Sequence, residues 1–455
     1  MKRKIYTHYW ILSLLFLFTF SCNDDIAEST FDSPPALRIQ ESVGELKQLL
    51  VSQPQGYKAT YFTKNDEKGG FTFFMQFNED GTVRQTSDIL NGDFDIQTSS
   101  YDVRYNVTTE LVFTTRNHIT EGTNPDAVDP DGEQVHPGNG YQGTNNFQYF
   151  SVDENGVIYF RDVRNRDSAS LILTPTNFAD FDSESLASVQ QSHQRRLEFN
   201  VCQTTTAFSI MQVTSNTGVV DYELNYNGST LFAEPRFRGV DGSLTGIDLG
   251  ILFTENSILV SPPLEVDGET LEEFFLDETS SELQYVSTVG GVTAVIGYSA
   301  TPIFPILGYS ELSDFLILHN PFLNSLADDW TPDLTNRCFE ELIVDLNASI
   351  SLFDVTRIDL YGLDTDAGTL FIGSSIGNAF YDISKNIIDD KVYLAITGTT
   401  VPAFFTDAVQ PLLDVIVDPE GLYVDQPTTL NEFSNRIFSF VPASNTTIRY
   451  SAVAL

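Results

Sequence analysis

The sequence predicts a mainly β protein built from antiparallel sheets. Short runs rich in Phe, Tyr, Val and Thr alternate with Asx-Gly dipeptides such as Asn155-Gly156 and Asp267-Gly268. Segment 101–107 (YDVRYNV) alternates apolar and polar residues. This pattern of short alternating strands separated by Asx-Gly turns is typical of hairpins in sheets with one buried face. We expect an N-terminal meander, closed as a sandwich or a lipocalin-like barrel, and then a second β-rich domain with a few helices.

The first residues have the pattern of a secretory signal peptide. Lys2, Arg3 and Lys4 precede an apolar run over residues 9–20, and Ser21-Cys22 follows. The run is shorter than the roughly 20 residues that a membrane-spanning helix needs. We expect residues 1–21 to be a lipoprotein signal peptide. The alternative is a short N-terminal anchor that is not cleaved.

Cys22 is the expected lipidation site. A small residue followed by cysteine at the end of the apolar run resembles a bacterial lipobox. Acyl chains on Cys22 would then hold the protein in outer-membrane lipid, since each buried methylene contributes about 0.8 kcal/mol. Asn23, Asp24 and Asp25 resemble the acidic signal that sends Bacteroidetes lipoproteins to the outer cell surface; the alternative is an ordinary acidic linker. Residues 22–36 are polar and end in prolines, so we expect a lipidated tether.

Composition limits the partners. Removing residues 1–21 leaves 434 residues and takes the net charge from −39 to −42. Nucleic-acid binding is excluded, because it needs clustered Lys and Arg. With 41% hydrophobic residues, 35 Phe and 19 Tyr, the chain can build large cores and is not a disordered acidic protein.

Along the chain, the elements follow in a definite order. Residues 36–52 have apolar side chains at helical spacing, Ile39, Val43, Leu46 and Leu50, and predict a leading helix. The N-terminal β domain is expected over 37–176. A helical linker follows over 177–199, where segment 182–197 begins with capping residues and ends with basic ones.

The remainder, 200–455, is expected to be one β-rich domain. Segment 310–329 is a further helix candidate within it. Cys202 and Cys338 are the cysteines left after Cys22. In an oxidising envelope they pair as a disulfide or remain two buried thiols, and their spacing leaves both alternatives open.

Two glycine motifs have patterns that also occur in catalytic or cofactor-binding sites. Gly373–Gly377 (GSSIG) has the pattern of a hydrolase nucleophile elbow, but that fold needs a histidine after the serine, and the last histidine is His319. Gly138–Gly143 (GNGYQG) has the pattern of a dinucleotide loop, but a strand, not a helix, is expected after it. Both are interpreted as turns or loops, and no cofactor is expected.

The acidic residues are the candidates for metal binding and for acid–base chemistry. Asp126, Asp129, Asp131 and Glu133 form an acidic loop, which is either a weak calcium site or a solvated turn. No histidines stand at metal-binding spacing, so no further metal site is predicted. A glycoside hydrolase that uses two carboxylates far apart in the sequence stays open as an alternative. With 63 acidic residues in the chain, their spacing does not indicate which two would form the pair.

Three stretches together resemble a Bacteroidetes lipoprotein family, domain of unknown function 4302, over residues 37–176. The stretches are GGFTFF (69–74) leading to FNEDGTV (77–83) and Ser87-Asp88; SSY (99–101) with ELVFTTRNHI (110–119); and VRNR (163–166) leading to LILTP (171–175). Thr114 stands where the family usually has aspartate.

The resemblance implies an outer-membrane lipoprotein, often found beside importers of the starch-utilisation type, and supplies no catalytic residues. We therefore expect a surface-exposed, non-catalytic accessory protein that captures a glycan or peptide and partners an outer-membrane importer complex. The alternatives are a surface adhesin or structural lipoprotein, and a glycan hydrolase with dispersed carboxylates.

Overall fold

The computed structural model is mainly β and antiparallel, which confirms the predicted fold class. The structure describes residues 34–90, 92, 94–128, 135, 138–167, 170–199, 208–238, 244–303, 312–318, 337–349, 354–429 and 435–455.

The first eight strands form a closed barrel. Each strand pairs with the next in chain order, and β8 returns to pair with β1 in register, Tyr61 opposite Leu171. The meander therefore closes on itself rather than opening into a sandwich, and its backbone has no free edge. The strands β1–β8 are Tyr57–Phe62, Gly70–Phe77, Thr82–Ser87, Gln97–Tyr105, Thr109–Phe113, Asn146–Val152, Ile158–Asp162 and Ser170–Pro175.

The leading helix closes one end of this barrel. Helix α1 (Pro35–Val51) confirms the helix predicted over 36–52. Leu46 and Leu50 are fully or almost fully buried in the same core as the barrel interior. The Tyr57 hydroxyl at the start of β1 donates to the Leu49 carbonyl at 2.8 Å. The apolar stripe read from the sequence is thus the face that plugs the barrel.

An open sheet of eleven strands follows the barrel. A short helix, α2 (His118–Glu121), lies in the connection between β5 and β6. Helix α3 (Phe181–Glu198) follows β8 and connects the barrel to the sheet, where a helix was predicted over 182–197. The sheet has the order β11-β12-β15-β16-β17-β18-β19-β9-β10-β13-β14. The strands β9–β19 are Phe208–Ser215, Gly218–Glu223, Tyr226–Asn227, Phe232–Ala233, Arg236–Arg238, Leu244–Gly246, Leu249–Phe253, Ser257–Val266, Glu269–Leu276, Tyr285–Val289 and Val292–Ser299.

The last eight strands form a second closed barrel with its own core. Its strands pair in chain order, and β27 closes against β20. Helices α4 (Arg337–Ser349), α5 (Ala403–Ala408) and α6 (Gln410–Ile416) contribute side chains to this core. The strands β20–β27 are Phe315–Leu318, Val355–Tyr361, Ala367–Ser374, Gly377–Ile388, Lys391–Thr399, Leu422–Thr429, Arg436–Pro442 and Tyr450–Ala454.

One expectation about the second half differs from the structure. Segment 310–329 was expected to be a helix, but Phe315–Leu318 within it is strand β20, and 319–329 lies outside the described residues. A four-residue apolar run does not distinguish strand from helix, and here pairing with β21 and β27 decides. Region 200–455, expected to be one β-rich domain, contains two sheets, the open sheet and the second barrel.

The first barrel and the open sheet share one continuous core, and their backbones meet at Gly69. The Gly69 amide donates to the Thr230 carbonyl at 2.9 Å. A Cβ on Gly69 would lie 2.1 Å from the Leu231 carbonyl oxygen and 2.2 Å from that of Ile251. The Thr72 hydroxyl adds a bond to the Phe253 carbonyl at 2.8 Å. Only glycine allows this contact between two backbones.

We predict that Gly69→Ala lowers the free energy of unfolding by about 1–3 kcal/mol or more, because backbone atoms must move to admit the methyl group. Urea unfolding midpoints would measure the loss. Gly44→Ala is the matched control, since Gly44 lies in α1 with open space around its Cβ position. That change should raise stability by about 0.5–1 kcal/mol. A wild-type midpoint for Gly69→Ala would contradict the close contact.

Candidate functional site

The candidate site is a cleft at one end of the first barrel. The connections after β1, β3, β5 and β7 all lie at the end opposite α1; we call this the loop end. The cleft there has a volume of about 420 Å³ and is open to solvent. Its lining residues come from the loop after β5, from α2 and from the segment before β6: Phe113, Thr114, Thr115, Arg116, Thr120, Glu121, Thr123, Asn124, Pro125 and Asn145.

Helix α2 is fixed in place by its N-cap. The Asn117 side chain accepts from the Thr120 amide at 3.1 Å, and the Thr120 hydroxyl accepts from the Asn117 amide at 2.9 Å. This reciprocal pair satisfies two amides that a helix start leaves without partners. Asn117 is buried and also donates to the Ser99 hydroxyl at 2.7 Å. The cleft wall is therefore tied to β4.

His118 lies beneath the cleft and not in it. Its ring is fully buried, and Nε2 lies 2.9 Å from the Asp95 carbonyl oxygen and 3.6 Å from the Asp95 carboxylate. The neighbouring Ile119 amide donates to the Gln85 side chain at 3.4 Å. These contacts connect α2 to β3 and to the loop after it, so His118 positions the wall of the cleft.

A buried polar network supports the loop end from inside. The Thr144 amide donates to the Tyr61 hydroxyl at 2.8 Å, and that hydroxyl donates to Asp162 at 3.4 Å. Asp162 also accepts from the amides of Arg164 and Asn165. Burial raises the pKa of Asp162, and these amide bonds oppose the rise. Burial also raises the pKa of Tyr61, so its hydroxyl keeps its proton.

The charged groups of the cleft form one ion pair. Arg116 Nε lies 2.7 Å from Glu121 Oε1, and this hydrogen bond raises the pKa of Arg116. Arg116 is 83% exposed, whereas Glu121 is 13% exposed and also accepts from Asn124 at 3.4 Å. Glu121 thus holds the guanidinium by one edge, and the rest of the guanidinium faces solvent with free donor capacity.

The hydroxyl groups of the cleft mostly donate inward. Thr114 donates to the Ser100 carbonyl at 3.1 Å, and Thr123 donates to the Thr120 carbonyl at 2.7 Å. Asn145 donates its amide to the Phe113 carbonyl at 3.0 Å. Their oxygens therefore remain as acceptors, with Arg116 as the strong donor. The cleft suits a neutral ligand that carries several hydroxyl or N–H groups.

The cleft lining carries one carboxylate, Glu121, beside its threonine and asparagine side chains. Its lining residues, all within the described part of the chain, include no cysteine, serine, histidine or lysine. Within the described residues, no group of three His, Cys, Asp or Glu side chains is placed to hold a metal ion. What the cleft can do chemically is hydrogen-bond a polar molecule.

The residues predicted as sites are placed as follows. Cys22, Asn23, Asp24, Asp25 and Cys202 lie outside the described residues, as do Asp129, Asp131 and Glu133. Their roles stay predictions. Asp126 is exposed, and its amide donates to the Asn124 side chain. Cys338 is buried in the second barrel and is disulfide-bonded, while the pairing with Cys202 stays a prediction.

The two glycine motifs are turns. Ser374 ends β22 and Gly377 begins β23, so GSSIG is a hairpin, with the Ser375 hydroxyl accepting from the Asp354 amide at 2.9 Å. Gly138 and Gly140 have φ values of 78° and 51°, which favour glycine. The loop that contains them leads to strand β6, as expected.

One polar cluster was not predicted from the sequence. Asp88 is 2% exposed and accepts from the Thr72 amide at 2.9 Å. Burial raises the pKa of Asp88 to about 7, although Arg196 on α3 opposes the rise. Arg196 Nη2 lies 3.2 Å from Nδ1 of His193, and burial lowers the pKa of His193 to about 4. In the sequence, Asp88 stands out only as part of the Ser87-Asp88 pair that follows an apolar strand. This pattern does not predict that the Asp88 carboxylate is buried.

The architecture defines a β protein of two barrels and an intervening sheet, with a polar cleft on the first barrel. The sequence model of the domain of unknown function family (DUF4302) matches residues 27–278, more than half of the chain. The chain belongs to this family. The match extends beyond residue 176 into the open sheet and ends before the second barrel.

Other comparisons add no function. No curated protein matches the chain. Among solved structures, a DNA polymerase sliding clamp from Caulobacter crescentus aligns with 91% of this chain and 96% of its own, at 8% identity and a TM-score of 0.17. That score is too low to transfer fold or function. None of the helices in the described ranges combines the length and apolar character needed to cross a membrane.

We predict that Asp88→Asn removes a pH dependence of stability. The native pKa of Asp88, about 7, exceeds the ordinary value of 3.8, so the native state binds this proton more tightly. The resulting stabilisation is complete below about pH 4 and is lost as pH rises through 7. Asparagine carries no such proton. Compared with Asp88→Asn, the wild type should therefore lose stability between pH 4 and 8, measured by urea unfolding.

His193→Gln is the control for this effect because its sign is opposite. The pKa of His193 falls from 6.5 to about 4 in the native state. The contribution of neutral His193 to the free energy of unfolding is therefore present above pH 6.5 and is lost as pH falls through 4. A stability difference between wild type and Asp88→Asn that is flat from pH 4 to 8 would contradict the assignment to Asp88.

Proposed function

We propose that this protein is a lipid-anchored binding protein that captures a glycan in the cleft of its first barrel. The observation that carries the proposal is the chemistry of the cleft. Threonine and asparagine oxygens provide acceptors, and Arg116 provides the donor. Saccharides carry hydroxyl groups that both donate and accept, so they complement this set.

A peptide fits the cleft less well. Extended peptides gain affinity by adding a strand to an exposed sheet edge. The cleft belongs to a closed barrel, whose strands β1–β8 are all paired on both sides. A peptide would therefore have to rely on side-chain contacts alone. We propose a glycan as the first ligand class and keep a peptide as an outcome of the binding test.

The anchor would leave the cleft facing outward. Cys22 would carry the acyl chains, and residues 23–35 would form a tether of roughly 40 Å when extended. Helix α1 follows the tether and closes the barrel end opposite the loop end. The outer membrane is the proposed location, with the folded part toward the cell exterior and an importer complex of the starch-utilisation type as the proposed partner. Family membership and the acidic composition support this placement.

We predict that Arg116→Ala weakens glycan binding by roughly 10- to 100-fold, because hydrogen bonds to charged groups contribute about 1.5–3 kcal/mol. Residues 23–455, which contain every described residue, would be titrated calorimetrically with neutral oligosaccharides and with peptides. Lys47→Ala is the control, since Lys47 is a half-exposed cation paired with Asp102 near the opposite end of the barrel. Equal losses in both variants, or binding of peptides alone, would contradict glycan capture at the cleft. Binding of neither ligand class would favour an adhesin.

The anchor is tested separately. We predict that Cys22→Ser abolishes incorporation of a palmitate analogue, because the thiol that accepts the acyl chain is gone. Replacing Asp24 and Asp25 with alanine should preserve the acyl label but reduce cleavage by protease added to intact cells. Acylation that persists in Cys22→Ser would disprove the lipidation site. Unchanged protease cleavage after the double replacement would show that the acidic residues are only a linker.

A further inference from the structure

The outer face of the second barrel carries an aromatic surface outside the family match. Phe371 on β22 and Phe380 on β23 are direct cross-strand partners, with ring centroids 5.0 Å apart. Phe380 is 51% exposed. Their neighbours along the chain, Leu370 and Tyr381, face the interior and are fully buried. The two rings therefore form one surface that faces solvent; we call it the phenylalanine platform.

A glycine shapes this platform. Gly373 is two residues after Phe371 on the same face of β22. A Cβ at Gly373 would lie 3.2 Å from atoms Cε1 and Cζ of the Phe371 ring. The ring thus lies across the space that a side chain at 373 would occupy. The absence of that side chain lets the ring rest over the strand.

Polar groups border the platform on β21. Asp359 is the cross-strand partner of Phe371 and is fully buried. Its Oδ2 accepts from Arg357 Nε at 2.6 Å and from the Tyr361 hydroxyl at 2.8 Å. The hydrogen bond to Asp359 raises the pKa of Tyr361, so this hydroxyl remains a donor. Arg357 is half-exposed, with further donors on its guanidinium.

One oxygen of this carboxylate lacks a hydrogen bond. Asp359 Oδ1 is buried beside the platform and has no partner within the described part of the chain. A buried carboxylate oxygen without a donor is unfavourable, and a ligand hydroxyl that reached it would remove that penalty. The two side chains that bond the other oxygen, Arg357 and Tyr361, are both partly exposed at this border. The site therefore combines an aromatic surface with an acceptor and donors at its border.

We propose that the phenylalanine platform is a second saccharide-binding site, distinct from the cleft. A sugar ring has an apolar C–H face that would lie on the Phe rings. Its hydroxyl groups would reach Asp359 and Arg357. A metal ion is disfavoured, because the Arg357 guanidinium already occupies Asp359 Oδ2.

The size of the surface also favours a small ring over a protein partner. A phenylalanine buries at most about 250 Å². Two rings, both only partly exposed, supply a small part of the roughly 800 Å² per partner of a standard protein interface. A sugar ring needs far less contact area, so the platform matches a saccharide in size as well as in chemistry.

The test is affinity electrophoresis of residues 23–455 in gels that contain amylopectin, xylan, galactomannan or mixed-linkage β-glucan. We expect the wild type to be retarded by at least one of them. Phe380→Ala should weaken that retardation by about tenfold in apparent affinity, through the lost aromatic contact. Asp359→Asn should also weaken it, through the altered border. Because Phe380 is about half exposed, its removal should lower the thermal midpoint only slightly, through the lost contact with Phe371.

Phe275→Ala is the matched control, since Phe275 is 53% exposed but lies on β17 of the open sheet. Arg116→Ala separates the two sites: binding that survives Arg116→Ala but not Phe380→Ala belongs to the platform. The proposal is overturned if no polysaccharide retards the wild type or if Phe380→Ala binds like the wild type. It is also overturned if Phe275→Ala loses as much, or if Phe380→Ala changes only the oligomeric mass measured by light scattering.

Discussion

The backbone contact at Gly69 is the constraint on which the first two-thirds of the structure depends. The connection after β1 must pass between the carbonyl oxygens of Leu231 and Ile251 with no room for a side chain. The same connection donates to Thr230, so the buried amide is satisfied by the sheet and not by the barrel. Barrel and sheet therefore share one core, and neither buries its apolar surface completely without the other. Gly69 and Gly70, which belong to a stretch that resembles the family, lie where the barrel contacts the open sheet. This agrees with a family match that continues past the barrel.

That contact leaves only part of the loop end for function. The connection after β1 bonds to the open sheet at Gly69, and the loop after β3 packs against α3 through Phe94 and His193, whereas the loop after β5 forms the cleft. Its wall is held before any ligand arrives, because Asn117, His118 and Ile119 are each bonded to neighbouring elements. A wall that is already ordered loses little conformational freedom on binding. Within the family stretch 110–119, Asn117, His118 and Ile119 thus hold the cleft wall in place, whereas Thr114 and Arg116 line the cleft.

Local patterns in the sequence predicted local structure well. Leu46 and Leu50 predicted the buried face of α1, because helical spacing can be recognised within a dozen residues. The residue types at the two ends of segment 182–197 predicted α3. Closure of the barrel was left as one of two alternatives, since β1 and β8 are more than a hundred residues apart and no local signal records their pairing. Phe315–Leu318 was misjudged for the same reason: its partners are β21 and β27. Asp88 and the cleft were not predicted, because burial of a single carboxylate depends on what packs over it.

The two proposed sites differ in origin and in chemistry, and this difference has a physical consequence. The cleft lies within the family match and relies on hydrogen bonds, whereas the platform lies beyond it and relies on aromatic contact. Both are open surfaces that leave much of a ligand in water, so each alone should bind modestly. A polysaccharide presents many repeats of the same unit. Once one site holds the chain, the second binding event becomes intramolecular, at an effective concentration near the millimolar range for a short flexible connection. Two modest sites on one protein would then retain a polymer more tightly than either site alone, while a short oligosaccharide, able to engage only one site, would be released sooner.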